Sequence, residues 1–129
     1  MSLHHVELWV PDLAGSVGPW GWLLGELGWT PYQEWPTGRS WRCGGTYVVL
    51  EQSPALCGSV HDRHAPGLNH VAFTADSRDE VDRLTLEAQE HGWALMFADR
   101  HPYAGGPDSY GAYLEDAWGY EVELAAGPP

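Results

Sequence analysis

The feature that most constrains this 129-residue chain is an internal repeat. Residues 3–8 read LHHVEL and residues 68–73 read LNHVAF, and this alignment pairs His5 with His70. In both halves a helix-like stretch follows and ends at a Gly-Trp dipeptide. Self-similarity of this kind indicates two copies of one structural unit. The chain is therefore predicted to fold from two similar modules.

A second pair of segments sets the extent of the two modules. The run Tyr47–Glu51 resembles the run Gly119–Glu123, and this alignment pairs Glu51 with Glu123. Between the two copies lies a segment rich in proline, glycine and histidine. The predicted organisation is a single domain over residues 1–129 with three parts, which are module one (1–53), a linker (54–67) and module two (68–126).

Each module is predicted to have the element order βαβββ, which is an α+β fold. Its first strand alternates apolar and polar residues, as a strand with one buried face does. Ser77 begins a capping-box pattern that predicts a helix over about 77–91. In module one Asp12 can cap a helix, but Pro19 and several glycines interrupt it. Either that helix kinks at Pro19, or it starts there and runs to about Leu27. Three strand-like runs follow each helix.

One histidine and one glutamate of each module fall on the strand face opposite the core. His5 and His70 are out of phase with the apolar residues of the first strands. Glu51 and Glu123 are out of phase with those of the last strands. Two imidazoles and two carboxylates suit one divalent ion such as Zn, Ni, Co, Fe(II) or Mn. If the modules pack as a pseudo-symmetric pair, the four side chains converge on that ion.

The charge balance excludes two classes of partner. The chain has 18 acidic and 6 basic residues, the basic ones are all arginine, and the net charge is −12. Nucleic acids and anionic membranes both need a basic surface, so neither is an expected partner. The charge alone does not bear on a small-molecule or metal partner. The first residues lack the basic and apolar segments of a secretory signal. We therefore expect a cytoplasmic location.

Aromatic residues are predicted to line the cavity beside the metal ligands. The chain contains eight tryptophans. Trp9 and Tyr47 share the predicted cavity face with His5 and Glu51, by the two-residue period of a strand. Tyr113, on a strand of module two, lines the cavity by the same phase. These three residues are the predicted substrate-binding side chains.

A long loop supplies the candidate acid–base groups. Residues 99–110 are a loop by their glycine and proline content. Loops rich in His, Tyr and Arg often close over a substrate. His101 and Tyr103 in this loop are therefore candidate catalytic residues.

These motifs resemble the vicinal oxygen chelate superfamily, which includes glyoxalases, bleomycin resistance proteins and extradiol dioxygenases. The resemblance implies two βαβββ modules with pseudo-two-fold symmetry that form a U-shaped mixed sheet around a metal-binding cavity. It implies the metal ligands His5, Glu51, His70 and Glu123. The motifs that carry it are the segments 3–6, 10–13, 23–28, 68–71 and 115–124.

The resemblance also implies a reaction class. Four ligands of this type are similar to those of glyoxalase I and of methylmalonyl-CoA epimerase, in which the metal polarises adjacent substrate oxygens. By this resemblance Glu123 or Glu51 moves the proton, and the protein is a divalent-metal-dependent lyase or isomerase. The substrate is expected to be a small oxygen-chelating molecule with an apolar or aromatic part, and the assembly a homodimer.

Two alternatives stay open within the same superfamily. One is an Fe(II)-dependent dioxygenase, and the other is a non-catalytic protein that binds an aromatic, drug-like ligand. The composition bears on the choice of substrate, because the chain has no lysine. Trp9 also stands where glutathione-dependent glyoxalases carry a basic residue. Strongly anionic substrates of the glutathione, CoA or phosphonate type are therefore expected to be disfavoured.

Overall fold

The computed structural model describes residues 1–128 and divides the chain into two compact units, Met1–Val60 and His61–Pro129. Each unit has the element order βαβββ, which confirms the predicted α+β fold of two similar modules. Over the described residues, no helix has the length and apolar character that a membrane crossing needs. Unit one contains β1 (His5–Trp9), α1 (Leu13–Glu26), β2 (Thr30–Trp35), β3 (Gly38–Cys43) and β4 (Thr46–Glu51). Unit two contains β5 (His70–Ala75), α2 (Arg78–Ala88), β6 (Ala94–Met96), β7 (Gly111–Glu115) and β8 (Glu121–Ala126).

Each unit is built on one four-stranded mixed sheet. The strand order is β1-β4-β3-β2 in unit one and β5-β8-β7-β6 in unit two. The first and last strands of each unit pair in parallel, and the other pairs are antiparallel. The helix leads from the first strand to the second strand at the opposite edge of the sheet, and the two antiparallel strands that follow bring the last strand back beside the first, in parallel with it. This pairing places the histidine-bearing strand of each unit beside its last strand.

Helix α1 begins at Leu13 and continues through Pro19 to Glu26. The carboxylate of Asp12 caps it by accepting a hydrogen bond from the Gly15 N–H at 3.0 Å. The alternative in which this helix starts at Pro19 is therefore wrong. The helix tolerates its proline and glycines because one face packs on the sheet, and helices gain most of their stability from such packing. The buried residues of that face are Leu13, Ser16, Trp20, Leu23 and Leu24.

Helix α2 begins as the capping-box pattern predicts and ends three residues earlier than expected. The Ser77 hydroxyl accepts a hydrogen bond from the Glu80 N–H at 3.1 Å. The helix ends at Ala88, since the chain there closes into a turn with two N–H groups, those of His91 and Trp93, donating to the Ala88 carbonyl. Gly92, with a φ of 87°, adopts the left-handed conformation typical of a helix C-terminus.

The core of each unit lies between its helix and one face of its sheet. The strand residues of this face are buried and apolar, and they include Leu8, Val48 and Leu50 in unit one and Phe73, Val122 and Leu124 in unit two. The residues between them point to the opposite face of the sheet. The candidate site residues of β1, β4, β5 and β8 all belong to that opposite face, as the sequence period predicts.

Candidate functional site

In unit two the structure brings two of the predicted ligands together. In the β5–β8 register His70 pairs with Glu121, and Ala72 pairs with Glu123. His70 and Glu123 are therefore diagonal neighbours on one face of the sheet, a separation that long side chains can bridge. The His70 Nε2 atom lies 3.1 Å from the Glu123 Oε1 atom. Both side chains are partly exposed, by 31% for His70 and 19% for Glu123.

The other nitrogen of His70 is held by neighbouring acceptors. Its Nδ1 atom lies 2.7 Å from the Asn69 side-chain oxygen and 3.6 Å from the Glu121 carboxylate. When Nδ1 donates its proton to Asn69, the Nε2 lone pair faces the carboxylate of Glu123. With the proton on Nε2 the contact is instead a hydrogen bond to Glu123, and with the proton on Nδ1 the Nε2 lone pair and the carboxylate are two potential ligand atoms that face each other. An imidazole oriented in this way by a second acceptor is the usual arrangement of a histidine metal ligand.

Glu121 lies beside His70 on the neighbouring strand and is a buried carboxylate. Its side chain is 5% exposed, and the Nε atom of Arg63 lies 3.1 Å from it. Arg63 also contacts Glu115 at 3.4 Å. Arg63 belongs to the segment that the sequence predicts to be a linker, and its pairing with the sheet was not foreseen. The arginine supplies the positive charge that a buried carboxylate needs.

Tyr113 lies next to the His70–Glu123 pair on strand β7. It pairs with Glu123 in the β7–β8 register, and its ring meets the His70 ring edge-on at 5.6 Å. Burial raises the pKa of the Tyr113 phenol, and the negative charge of Glu123 and a hydrogen bond to it raise it further. The phenol is therefore protonated at neutral pH and can donate a hydrogen bond. Its substrate-binding role stays a prediction.

The loop of residues 99–110 approaches Tyr113 at a glycine. A Cβ atom added at Gly105 lies 2.8 Å from the Tyr113 hydroxyl, closer than real Cβ contacts, so the loop reaches this close only because residue 105 has no side chain. The candidate acid–base residues lie earlier in the loop. His101 is half-buried, and the Tyr103 ring packs edge-on against Tyr110 at 5.6 Å. Their catalytic role stays a prediction.

The C-terminal end of this loop is anchored to helix α2. The Tyr110 hydroxyl donates a hydrogen bond to the Asp82 carboxylate at 2.6 Å. This hydrogen bond is the main reason that the pKa of Tyr110 is raised to about 12, and desolvation and the charge of Asp82 add to it. The link fixes one end of the loop on the helix side of unit two.

We expect the substitution Asp82→Asn to lower the pKa of Tyr110 towards the ordinary value of 10.0, because the amide carries no negative charge. Since the folded-state pKa is raised, the hydrogen bond stabilises the wild type below pH 10 and is lost as the pH rises towards 12. An NMR titration that follows the tyrosine Cζ chemical shifts with pH measures the pKa of Tyr110 in the wild type and in the variant. The Tyr113 titration serves as the internal control, and an unchanged Tyr110 titration contradicts the assignment.

In unit one His5 is held by aromatic neighbours. It pairs with Tyr47 in the β1–β4 register, and the two rings stack in parallel at 4.7 Å. The Nδ1 atom of His5 lies 2.8 Å from the Nδ1 atom of His4. His4 thus occupies the place that Asn69 has beside His70. Trp9 lies four residues after His5 on strand β1. Its indole N–H donates a hydrogen bond to Glu7 at 2.7 Å, and the residue is 40% exposed.

Glu51 accepts two hydrogen bonds that involve both of its oxygens. The indole N–H of Trp35 donates to one oxygen, and the hydroxyl of Thr37 donates to the other, each at 2.7 Å. The indole of Trp35 lies over Gly38, where any Cβ atom would collide with it. Glu51 therefore ties the turn between β2 and β3 to the end of β4. Its metal-binding and catalytic roles stay predictions.

The strand registers give a different match between the two modules than the sequence does. His5 pairs with Tyr47 and His70 pairs with Glu121, so the residue that corresponds to Glu123 is Val49. The sequence-based match of Glu51 with Glu123 is wrong by two residues. A shift of two residues keeps every side chain on its own face, so hydrophobic periodicity cannot detect it.

Within residues 1–128, no group of three or more His, Cys, Asp or Glu side chains is already assembled for a metal ion. Of the predicted ligands, His70 and Glu123 are in direct contact. His5 presents an imidazole on the equivalent strand of unit one.

Comparison with known proteins gives the family. The family model described as the glyoxalase/bleomycin resistance protein/dioxygenase superfamily matches residues 4–113. An uncharacterised Bacillus subtilis protein, YqjT, is 43% identical over 126 residues, which are 96% of this chain and 98% of that protein. A crystal structure of a glyoxalase-like protein from Bacillus halodurans superposes with a TM-score of 0.91 at 44% identity, and it covers 97% of this chain and 95% of that one.

A more distant curated relative is named as an enzyme. The glutathione transferase FosA of Serratia marcescens is 28% identical over 126 residues, which are 98% of this chain and 81% of FosA. The matches cover nearly the whole chain and include both modules. On this basis the chain belongs to the glyoxalase/bleomycin resistance protein/dioxygenase superfamily.

Proposed function

We propose that this protein is a divalent-metal-dependent enzyme that polarises a small oxygen-chelating substrate, as a lyase or isomerase. The observation that carries the proposal is the contact of His70 Nε2 with Glu123 Oε1 at 3.1 Å. A divalent ion, if bound, would be held by this nitrogen and this oxygen as two of its ligands. Asn69 and Glu121 on the far side of the imidazole hold it in the orientation that a ligand requires.

We propose His5 as the third ligand, because it occupies the position of His70 in the other module. The contact of its Nδ1 atom with His4 parallels the contact of His70 with Asn69. Two imidazoles and one carboxylate suit Mn, Fe(II), Co, Ni or Zn, and this donor set leaves positions for substrate oxygens or water.

Glu51 is the least supported member of the predicted ligand set. Its two oxygens already accept hydrogen bonds from Trp35 and Thr37. The residue that corresponds to Glu123 is Val49, which is 5% exposed and has no ligand atom. We therefore propose a three-residue ligand set, His5, His70 and Glu123, with Glu51 as a structural acceptor.

The proposed chemistry divides between the ion and the side chains. An ion held by His5, His70 and Glu123 would supply Lewis-acid polarisation of the substrate oxygens. Tyr113 stays protonated at neutral pH and donates a hydrogen bond to a substrate oxygen, since burial and Glu123 raise its pKa. Glu123, or a loop residue such as His101 or Tyr103, moves the proton. Trp9 and Tyr47 supply aromatic surface on the face that carries His5.

A homodimer is the assembly that we propose, as the resemblance to the superfamily implies. Sedimentation equilibrium of the purified protein tests it. The alternatives of an Fe(II)-dependent dioxygenase and of a non-catalytic binding protein are outcomes of the metal experiment below.

Elemental analysis tests the proposed function directly. The chelator-treated protein is dialysed against each of Mn, Fe(II), Co, Ni and Zn, and its metal content and substrate turnover are measured. We expect one ion per chain, and turnover of an oxygen-chelating substrate without change of the metal's oxidation state. Oxygen consumption with Fe(II) alone supports the dioxygenase instead. A protein that retains none of the five ions contradicts the proposed metal site.

A further inference from the structure

The hairpin between strands β3 and β4 forms one wall of a small cavity. The cavity has a volume of about 200 Å³ and lies entirely within unit one. Polar and aromatic side chains and two turn glycines line it, namely His4, Tyr32, Arg42, Thr46, Tyr47 and Gly44–Gly45. None of these residues carries a carboxylate. The chain as a whole has 18 acidic and 6 basic residues, so a cavity lined by an arginine and no carboxylate differs in charge from the average of the chain.

Arg42 is the one cationic group of this cavity that is charged at every physiological pH. Its guanidinium lies 4.7 Å from the centre of the Tyr32 ring. Arg39 and Arg63 instead face carboxylates, at 3.2 Å and 3.1 Å. For Arg42 the part of the chain that the structure describes supplies no carboxylate partner. Its charge is therefore available to a ligand.

The turn residues Gly44 and Gly45 form one side of the cavity. Gly44 has a φ of 59°, which a glycine adopts without strain. A Cβ atom added at Gly44 or Gly45 has no atom within 4 Å, so this side of the cavity is accessible. An oxyanion can therefore approach the Arg42 guanidinium from this side, and the residues that line the cavity include no carboxylate.

The cavity adjoins the proposed metal ligand of unit one. Tyr47 pairs with His5 on one side and with Arg42 on the other, so the three residues form a row across strands β1, β4 and β3. The rings of Tyr47 and His5 are in contact, stacked at 4.7 Å. A molecule that binds Arg42 thus lies on the same face of the sheet as His5.

We propose that this cavity binds the oxyanion group, a carboxylate or a phosphate, of a small-molecule ligand. Arg42 pairs with the oxyanion, as guanidinium groups do in a planar fork. The cavity is thus an anion site that the acidic composition does not suggest. The further step, that the same molecule is the substrate of the metal site, rests on the proposed function.

NMR titration of the metal-free protein tests the anion site separately from the metal site. Inorganic phosphate and sodium acetate are the two probes, and the amide signals of Gly44, Gly45 and Thr46 are followed. We expect saturable shifts at these residues with at least one probe, and the tighter probe identifies the class of oxyanion. We expect Arg42→Gln to weaken binding by about tenfold or more, as the loss of a charge-assisted hydrogen bond does, and Arg42→Lys to keep part of it.

Arg78→Gln is the matched control. Arg78 is exposed, and its guanidinium lies 4.9 Å from the Tyr110 ring, so this change removes the same charge from a similar stack outside the cavity. Equal binding by wild type and Arg42→Gln, or no shift with either probe, overturns the proposal. Metal content is measured in parallel. Phosphate or acetate binding without any metal uptake leaves the anion site standing and removes only its link to catalysis.

Discussion

Replacement of Glu123 by glutamine is expected to lower the affinity for a divalent ion by at least about 100-fold, which exceeds the usual effect of losing an outer-shell partner. The change removes the only anionic ligand of the proposed set and keeps its size. The Glu123 Oε1 atom lies 3.1 Å from His70 Nε2, so the amide still reaches the imidazole. Isothermal titration of the metal-free protein with Mn, Co, Ni or Zn measures the affinity.

Glu51→Gln is the matched control for this result. It makes the same chemical change at a glutamate whose oxygens accept hydrogen bonds from Trp35 and Thr37. We expect this variant to bind the ion within about threefold of the wild type, because Glu51 is outside the proposed ligand set and salt screens charges that do not contact the ion. A loss of affinity in Glu51→Gln equal to that in Glu123→Gln contradicts the three-residue ligand set and restores Glu51 to it.

Replacement of Arg63 by methionine is expected to lower the free energy of unfolding by about 2–4 kcal/mol. Removing one partner of a buried ion pair leaves the other charge without compensation, which costs about 3–5 kcal/mol when both are fully buried. Glu121 is 5% exposed but Arg63 is 23% exposed, so the expected effect lies somewhat below that range. Urea unfolding at neutral pH measures this change in the free energy of unfolding.

We also expect Arg63→Met to bind the divalent ion more weakly, because Glu121 faces the Nδ1 atom of His70.

Two further variants separate this effect from a general loss of charge. In Arg63→Met/Glu121→Met both buried charges are absent, so part of the lost stability is expected to return. Arg83→Met removes an arginine whose ion pairs with Glu80 and Glu87 lie within one helix and are partly exposed, and such surface pairs contribute about 1 kcal/mol or less. If Arg63→Met lowers the free energy of unfolding no more than Arg83→Met does, the Arg63–Glu121 ion pair contributes no more than a surface pair, and the prediction is wrong.

The fold was predictable because the same pattern of segments occurs in both halves of the sequence. The paired segments around His5 and His70 indicated two copies of one unit, and the period of each segment indicated its elements. Helix α1 was harder to predict from local preferences, because Pro19 and its glycines disfavour a helix. Its buried side, which includes Trp20 and Leu24 at 0% exposure, outweighs that preference.

The candidate site was predictable in its face but not in its register. Periodicity placed His70 and Glu123 on the strand face opposite the core, and the pairing of their strands in the structure brings them into contact. It matched Glu51 to Glu123 because a shift of two residues leaves every face unchanged. Strand pairing decides the register, and it assigns Val49 to that position instead.

The roles of two arginines, Arg63 and Arg42, could not be predicted from the sequence. Arg63 lies in a segment whose proline and glycine content indicates a linker, and only the folded chain brings it to Glu121. Arg42 lies on a strand where nothing marks its side chain as unpaired with an acid. The sequence-based expectation that anionic ligands are disfavoured follows from the net charge of −12 and the absence of lysine, which describe the chain as a whole. The local field of a cavity depends instead on the few charges that line it.

The Gly44–Gly45 turn has a consequence for how this protein can change through evolution. A hairpin turn accepts insertions and substitutions with little effect on the strands that it joins. The proposed ligand His5 lies on strand β1, outside this turn, and the His70–Glu123 pair lies on unit two. Ligand preference can therefore diverge between descendants of this protein by mutation of one surface turn, while the residues proposed to activate the ligand are inherited unchanged.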